Sequence, residues 1–459
     1  MKKLLITLLA IFTAISLISC QRKQESHAFI NGVNVSEYSI VYSDTDTDYA
    51  KRAAEFIQSE ILARVGVELT IIEDSAEAVG EYEIVVGNTS REISSRLDEE
   101  TEGLQFSMLA EEKQVALEGD YFIIAAAAYY FVDTYVPGAE QDTVLSMGAS
   151  VHEPIVKEAK NFILLIGDGM GVNQTLLYDE LEDVSGFSDG EDAFYGYMLP
   201  YMGYSRTDSL SGTTDSAAGG TALATGYKTT NDTVGLDKDG NELQSLTELA
   251  MSLGKSTAVM STETQSGATP SAFSAHTVSR DNTTEILTDQ AALALKGTMI
   301  DCGFHNQYNQ KYIGVMERHI EDTLSWMDKN DKGFFLMYEE AHIDKHCHNN
   351  DMDKTYLALI RFNQAIARFM EYAFYNPETM IIITADHETG DLRKNENGEL
   401  CYNREGHSSA DVPVFVYGYD GGLFDGQTIE NIQIAHTVAD LMGVEDFGDQ
   451  SQYQSLTGN

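Results

Sequence analysis

The sequence predicts an α/β domain, with a mostly parallel central sheet and helices on both faces, preceded by a small α+β domain. Continuous apolar runs at Phe162–Ile166, Thr257–Met260, Gly333–Tyr338, Met380–Thr384 and Val412–Tyr417 suit strands covered on both sides. Helical patterns at Leu243–Leu253, Asn282–Leu295, Asp351–Tyr375 and Ile429–Met442 lie between or after them. Upstream of residue 150, shorter strands alternate with helical patterns as a self-contained unit.

In chain order, Lys2 and Lys3 precede an apolar run from Leu4 to Ile18 and the stretch Leu17-Ile18-Ser19-Cys20. This resembles a bacterial lipoprotein signal, which implies cleavage before Cys20, lipidation of Cys20 and an exported protein tethered to a membrane by lipid alone. The implied location is extracytoplasmic, at the cell surface or in the periplasm. The run is short for a membrane span. Removing Cys20 leaves Cys302, Cys347 and Cys401, an odd set without metal-finger spacing, which argues against a disulfide scaffold.

Residues 21–28 read as a polar tether and residues 29–150 as the small α+β domain. Its elements are a strand at Ser39–Tyr42, a helix over Asp48–Val65, strands at Glu68–Ile72, Tyr82–Val86, Gly103–Leu109 and Gln114–Glu118, and a helix over Tyr121–Tyr135. With Glu83-Ile84-Val85-Val86-Gly87, this order resembles the N-terminal accessory domains of bacterial glycoside hydrolases. The resemblance implies a glycan-contacting module or a packing module. Gly138 to Ala159 reads as a loose connection, and the α/β domain occupies residues 160–459.

The chain has 459 residues, 43% of them hydrophobic, enough to bury more than one core. Its 29 basic and 73 acidic side chains give a formal net charge of −44, which argues against nucleic acid or an anionic membrane surface as partner. An anion site here needs concentrated local positive charge, most simply from bound metal ions.

The segments after the apolar runs carry suitable ligands. Asp168 stands in Gly167-Asp168-Gly169-Met170-Gly171; Glu339 to His348 includes His342, Asp344, His346 and His348; Asp386 and His387 follow Thr384; His407 precedes Val412. In open α/β sheets ligands bind at the carboxyl ends of the strands. Asp mixed with His suits zinc, whereas carboxylates with hydroxyls suit magnesium. Separately, Thr214-Asp215-Ser216-Ala217-Ala218-Gly219-Gly220-Thr221-Ala222 places Ser216 at a predicted helix start, where free N–H groups favour an anion. Ser216 is there either a capping serine or a nucleophile.

Together these motifs resemble the alkaline phosphatases over roughly residues 160–445. The resemblance implies that Asp344, His348 and His407 hold one zinc, and that Asp168, Asp386 and His387 hold a second beside the Ser216 nucleophile. It also implies magnesium on Thr269, Glu339 and Asp168, with Arg280 clamping the phosphate of a small monoester. Two features depart from the family. Gly267 stands where relatives carry Asp or His near the magnesium, so Lys345, which pairs with that Asp in relatives, becomes a candidate phosphate contact. Nineteen residues separate His387 from His407, too few for the insertion with which many relatives build a homodimer surface, so dimerisation stays open. Cys347 is expected to point away from the metal by alternation, and His276 and His436 to lie on packing helices. A sulfatase motif is missing around Ser216, and Thr269, Glu339 and Arg280 favour a phosphate dianion over a diester.

Overall fold

The computed structural model describes residues 28–45, 48–76, 79–97, 101–111, 113–136, 138, 142–143, 147–181, 194–304 and 313–458. The expected signal peptide, Cys20 and residues 21–27 of the tether lie outside them. Two compact units divide the chain, Met1–Pro154 and Ile155–Asn459.

The first unit contains a six-stranded sheet in the spatial order Thr70–Glu73, Ser39–Tyr42, Glu83–Val86, Gln114–Glu118, Phe106–Ala110, Met147–His152. Its first four strands run parallel and the last two pairings are antiparallel. Ile84, Val85 and Val86 are fully buried at its centre. The helices Asp48–Val65 and Ile124–Tyr135 pack together, with the Phe56 and Tyr129 rings 6.3 Å apart. The Met147–His152 strand corrects the reading of a loose connection. Gly148 and Ser150 interrupt the apolar run there, so only pairing with Phe106–Ala110 reveals the strand.

In the second unit an eight-stranded sheet runs in the order Met299–Cys302, Ser256–Ser261, Phe334–Glu340, Asn161–Gly167, Thr379–Thr384, Val412–Tyr417, Tyr201–Arg206, Thr428–Glu430. Among these strands only Val412–Tyr417 opposes the rest. Side chains alternate between the two faces, as strand geometry requires. Phe162, Leu164, Ile166, Phe335 and Met337 join a core with the helices Ser216–Thr225, Leu246–Ser252 and Ile432–Leu441. Tyr338 points the other way, onto Phe362 and Phe369 of the Met352–Tyr375 helix. Each such fully buried large apolar side chain contributes roughly 1.5–3 kcal/mol. Two layers of helices therefore enclose the sheet, as its apolar runs require.

The register aligns the strand ends. Ile166 lies beside Glu339 and Thr384, and Ser261 beside Glu339, so the segments that follow emerge on one rim.

Candidate metal centre

Ser216 is the first residue of a ten-residue helix, Ser216–Thr225, whose residues are all buried. Asp215 caps it, accepting from the Ala218 N–H at 3.0 Å. The second oxygen of Asp215 accepts from the Asp232 N–H at 2.9 Å and lies 3.6 Å from Arg280 Nη1. One carboxylate thus starts the helix and positions the guanidinium. Sequence reading had placed Ser216 and Arg280 but not Asp215, because its partners come from distant segments.

Two triads converge beside Ser216. Asp344, His348 and His407 form one, and Asp168, Asp386 and His387 the other; within each, the candidate ligand atoms lie within 4.8 Å of one another. His348 Nδ1 donates to the Glu405 carbonyl, and His407 Nδ1 donates to the Thr214 carbonyl at 2.8 Å. Those bonds place a proton on Nδ1, the tautomer in which a neutral imidazole presents its Nε2 lone pair to a cation. The two Nε2 atoms face each other at 3.0 Å, with Asp344 Oδ1 at 3.4 and 3.5 Å. Such an arrangement of acceptors is unfavourable without a cation and suits one with it.

In the buried triad, His387 Nε2 lies 3.5 Å from Asp168 Oδ1, 3.3 Å from Asp386 Oδ2 and 3.2 Å from Ser216 Oγ. Burial holds the His387 imidazole well below its usual pKa, with the neighbouring His407 and His348 adding to the effect. It is neutral and able to ligate. The carboxylates move oppositely: burial, reinforced by Asp386 and Asp344, pushes Asp168 up, and burial with Asp344 raises Asp386 to about 7. Thr389 joins the two groups, its hydroxyl donating to Asp344 Oδ1 at 2.5 Å and lying 3.2 Å from His387 Nδ1.

Glu339 and Thr269 are buried nearby. Ser261 donates to Glu339 Oε2, and burial together with the charge of Glu263 raises Glu339 to about 8. Asp168 Oδ1, Asp386 Oδ2, Glu339 Oε1 and Thr269 Oγ1 are all buried without a hydrogen-bond partner. Buried polar atoms are ordinarily satisfied, so four orphans at one rim fit cations. The His-containing triads are zinc-like donor sets, and the oxygen set of Glu339, Thr269 and Asp168 suits magnesium.

Lys345 Nζ sits 2.7 Å from Glu263 Oε1, a partner that sequence reading did not anticipate. Segment 342–347 is a helix, so strand alternation is the wrong ground for excluding Cys347. Cys347 is nevertheless outside both triads, buried against Gln174, Thr355 and Tyr402. His342 Nδ1 lies 3.2 Å from Glu340 Oε1, and the His346 ring stacks on His342. His436 lies on the Ile432–Leu441 helix and contacts the Gly226 carbonyl at 2.9 Å, whereas His276 follows the Ala268–Ala272 helix and contacts the Leu243 carbonyl.

A family model described as alkaline phosphatase matches residues 159–316 and 301–397. Alkaline phosphatase 4 of Bacillus subtilis is 31% identical over 311 residues, covering 56% of this chain and 67% of the relative. Alkaline phosphatase 3 of the same organism is 30% identical over 285 residues, covering 51% of this chain and 62% of the relative. The chain thus spans just under or about two thirds of these relatives' length. The structure of alkaline phosphatase from the Antarctic bacterium TAB5 superposes with a TM-score of 0.55 at 24% identity, covering 62% of this chain and 99% of that one, a likeness of fold. The family match takes in Ser216, all of the Asp168, Asp386 and His387 triad, and Asp344 and His348 of the other, with His407 just beyond it; it covers more than half of the chain, and the chain belongs to the alkaline phosphatase family.

Proposed function

We propose that the chain hydrolyses phosphate monoesters in two in-line displacements, with Ser216 as the nucleophile of the first. The observation that carries this reading is the Ser216 hydroxyl, at a helix start and 3.2 Å from the nitrogen of one cation triad. Asp168, Asp386 and His387 would hold the zinc beside Ser216; Asp344, His348 and His407 would hold the other; Glu339, Thr269 and Asp168 would hold magnesium. When bound, these ions supply Lewis-acid charge that lowers the pKa of coordinated oxygens and neutralises a phosphate dianion.

Arg280, anchored at Asp215, takes two non-bridging oxygens in a fork, which a planar guanidinium does better than an ammonium. Ser216 Oγ gives up its proton to solvent and forms a bond to phosphorus as the bond to the alcohol oxygen breaks, and the alcohol leaves with a proton from solvent. Water then displaces the serine, releasing inorganic phosphate and regenerating the hydroxyl, so configuration at phosphorus is retained overall. His387 stays neutral through its burial and holds its position by stacking on His407, ring centroids 3.7 Å apart. The lipoprotein-like residues 1–20 support an exported, lipid-tethered form of the same enzyme.

Ser216→Ala should lower turnover of an aryl phosphate monoester by at least about a thousandfold while leaving the metal count unchanged. Full turnover by that variant would exclude the phosphoserine route. Retention at a chiral phosphate in the parent enzyme provides an independent check.

A further inference from the structure

Gly267 precedes the short Ala268–Ala272 helix with φ −57°, so its backbone does not demand glycine. Space does. A Cβ on Gly267 would come within 2.8 Å of Glu263 Oε2 and 3.0 Å of Glu263 Cδ and Cγ. The Glu263 side chain therefore lies across Gly267, in the volume a side chain there would fill. Its other oxygen, Oε1, holds Lys345 at 2.7 Å. The Glu263 N–H donates to Ser261 Oγ at 2.9 Å, and that hydroxyl donates to Glu339, linking the residue to the oxygen set. Two residues after Gly267, Thr269 buries an unpartnered hydroxyl, and Glu339 buries an unpartnered oxygen; both observations point to a ligand independently of the acidic residues around them.

We propose that Glu263 is a positioning residue of the third cation site: Oε1 anchors Lys345, while Oε2, over Gly267, holds a water in the coordination shell of the ion on Glu339 and Thr269. A carboxylate is thus delivered to the volume beside Gly267 from four residues upstream. Lys345, next to the candidate ligand Asp344, is paired to Glu263 at the partly exposed edge of the site. The inference rests on the phosphatase reading above and adds a residue to it.

The test uses the full chain loaded with zinc and titrated with magnesium by calorimetry, with both metals counted by mass spectrometry. Glu263→Gln should keep its zinc and bind magnesium about 10–100-fold more weakly, the usual effect of losing an outer-shell partner. The exchange Glu263→Ala with Gly267→Asp, which returns a carboxylate to the vacated volume, should recover magnesium affinity to within a few-fold of the parent. Parent-like magnesium affinity in Glu263→Gln, or no recovery in a folded exchange variant, overturns the inference while leaving the phosphatase reading intact. A parent that binds neither metal and turns over no monoester overturns the phosphatase reading, and this inference with it.

Discussion

Glu339 and Asp386 show how burial before metal binding shapes pH behaviour. Their folded values of about 8 and about 7 lie above the ordinary 4.5 and 3.8, because burial and neighbouring carboxylates disfavour the charged forms. Between the ordinary and raised values, the metal-free folded protein binds more protons than the unfolded chain. The contribution of these two carboxyls to stability should therefore fall as pH rises through that window and level off above about 8, while the depressed His387 contributes in the opposite sense below its ordinary 6.5. Metals displace those protons, so stabilisation by zinc and magnesium should grow over the same range. Urea unfolding of stripped and reloaded protein at pH 5 and pH 8 tests this; a metal effect that shrinks with pH would contradict it. The residues of the two triads were legible as candidate ligands because scarce histidines and carboxylates recur just after apolar runs. Asp215, Glu263 and Thr389 were not, since the role of each depends on a partner that only folding brings near.

The Ser216–Thr225 helix depends on its small residues for its place in the site. A Cβ on Gly219 would lie 2.7 Å from the Asp386 backbone oxygen, which cannot swing aside as a side chain could. Alanine favours a helix over glycine by about 1 kcal/mol, but forcing apart a packed contact costs typically about 1–3 kcal/mol. Gly219→Ala should therefore lower stability on balance and weaken binding of the cation proposed at Asp386, as read by denaturant unfolding and metal counting. A more stable variant with an unchanged metal count would show the contact to be soft. Element by element, central strands were readable because burial on both faces demands unbroken apolar runs. Three outlying strands of the eight-stranded sheet, Met299–Cys302, Tyr201–Arg206 and Thr428–Glu430, were not. Tyr201–Arg206 leaves Tyr204 38% exposed, and Thr428–Glu430 merges in sequence with the Ile432–Leu441 helix.

For the whole molecule, a net charge of −44 means that the proposed phosphate dianion would approach against the overall field, so that ions held at the two triads, with Arg280, would have to reverse its sign locally. Among the described residues no helix is long and apolar enough to cross a membrane. Attachment through the lipid expected at Cys20 is checked by expressing Cys20→Ser: the variant should move from the membrane fraction to the soluble one with its monoesterase activity intact. Retention in the membrane fraction would point to another anchor. The reversed strand has a consequence for how such a molecule can vary. Because Val412–Tyr417 opposes Thr379–Thr384, residues 385–411 leave the sheet and return to it on the same rim, with the Thr384 hydroxyl bonded to the Pro413 carbonyl where the two strands meet. A parallel strand would have required the chain to cross to the far side. Here the excursion carrying Asp386, His387 and His407 begins and ends on the rim where the two triads lie. Added length between Thr389 and His407 would be accommodated on that rim, beside the candidate site, while the sheet beneath stays as it is.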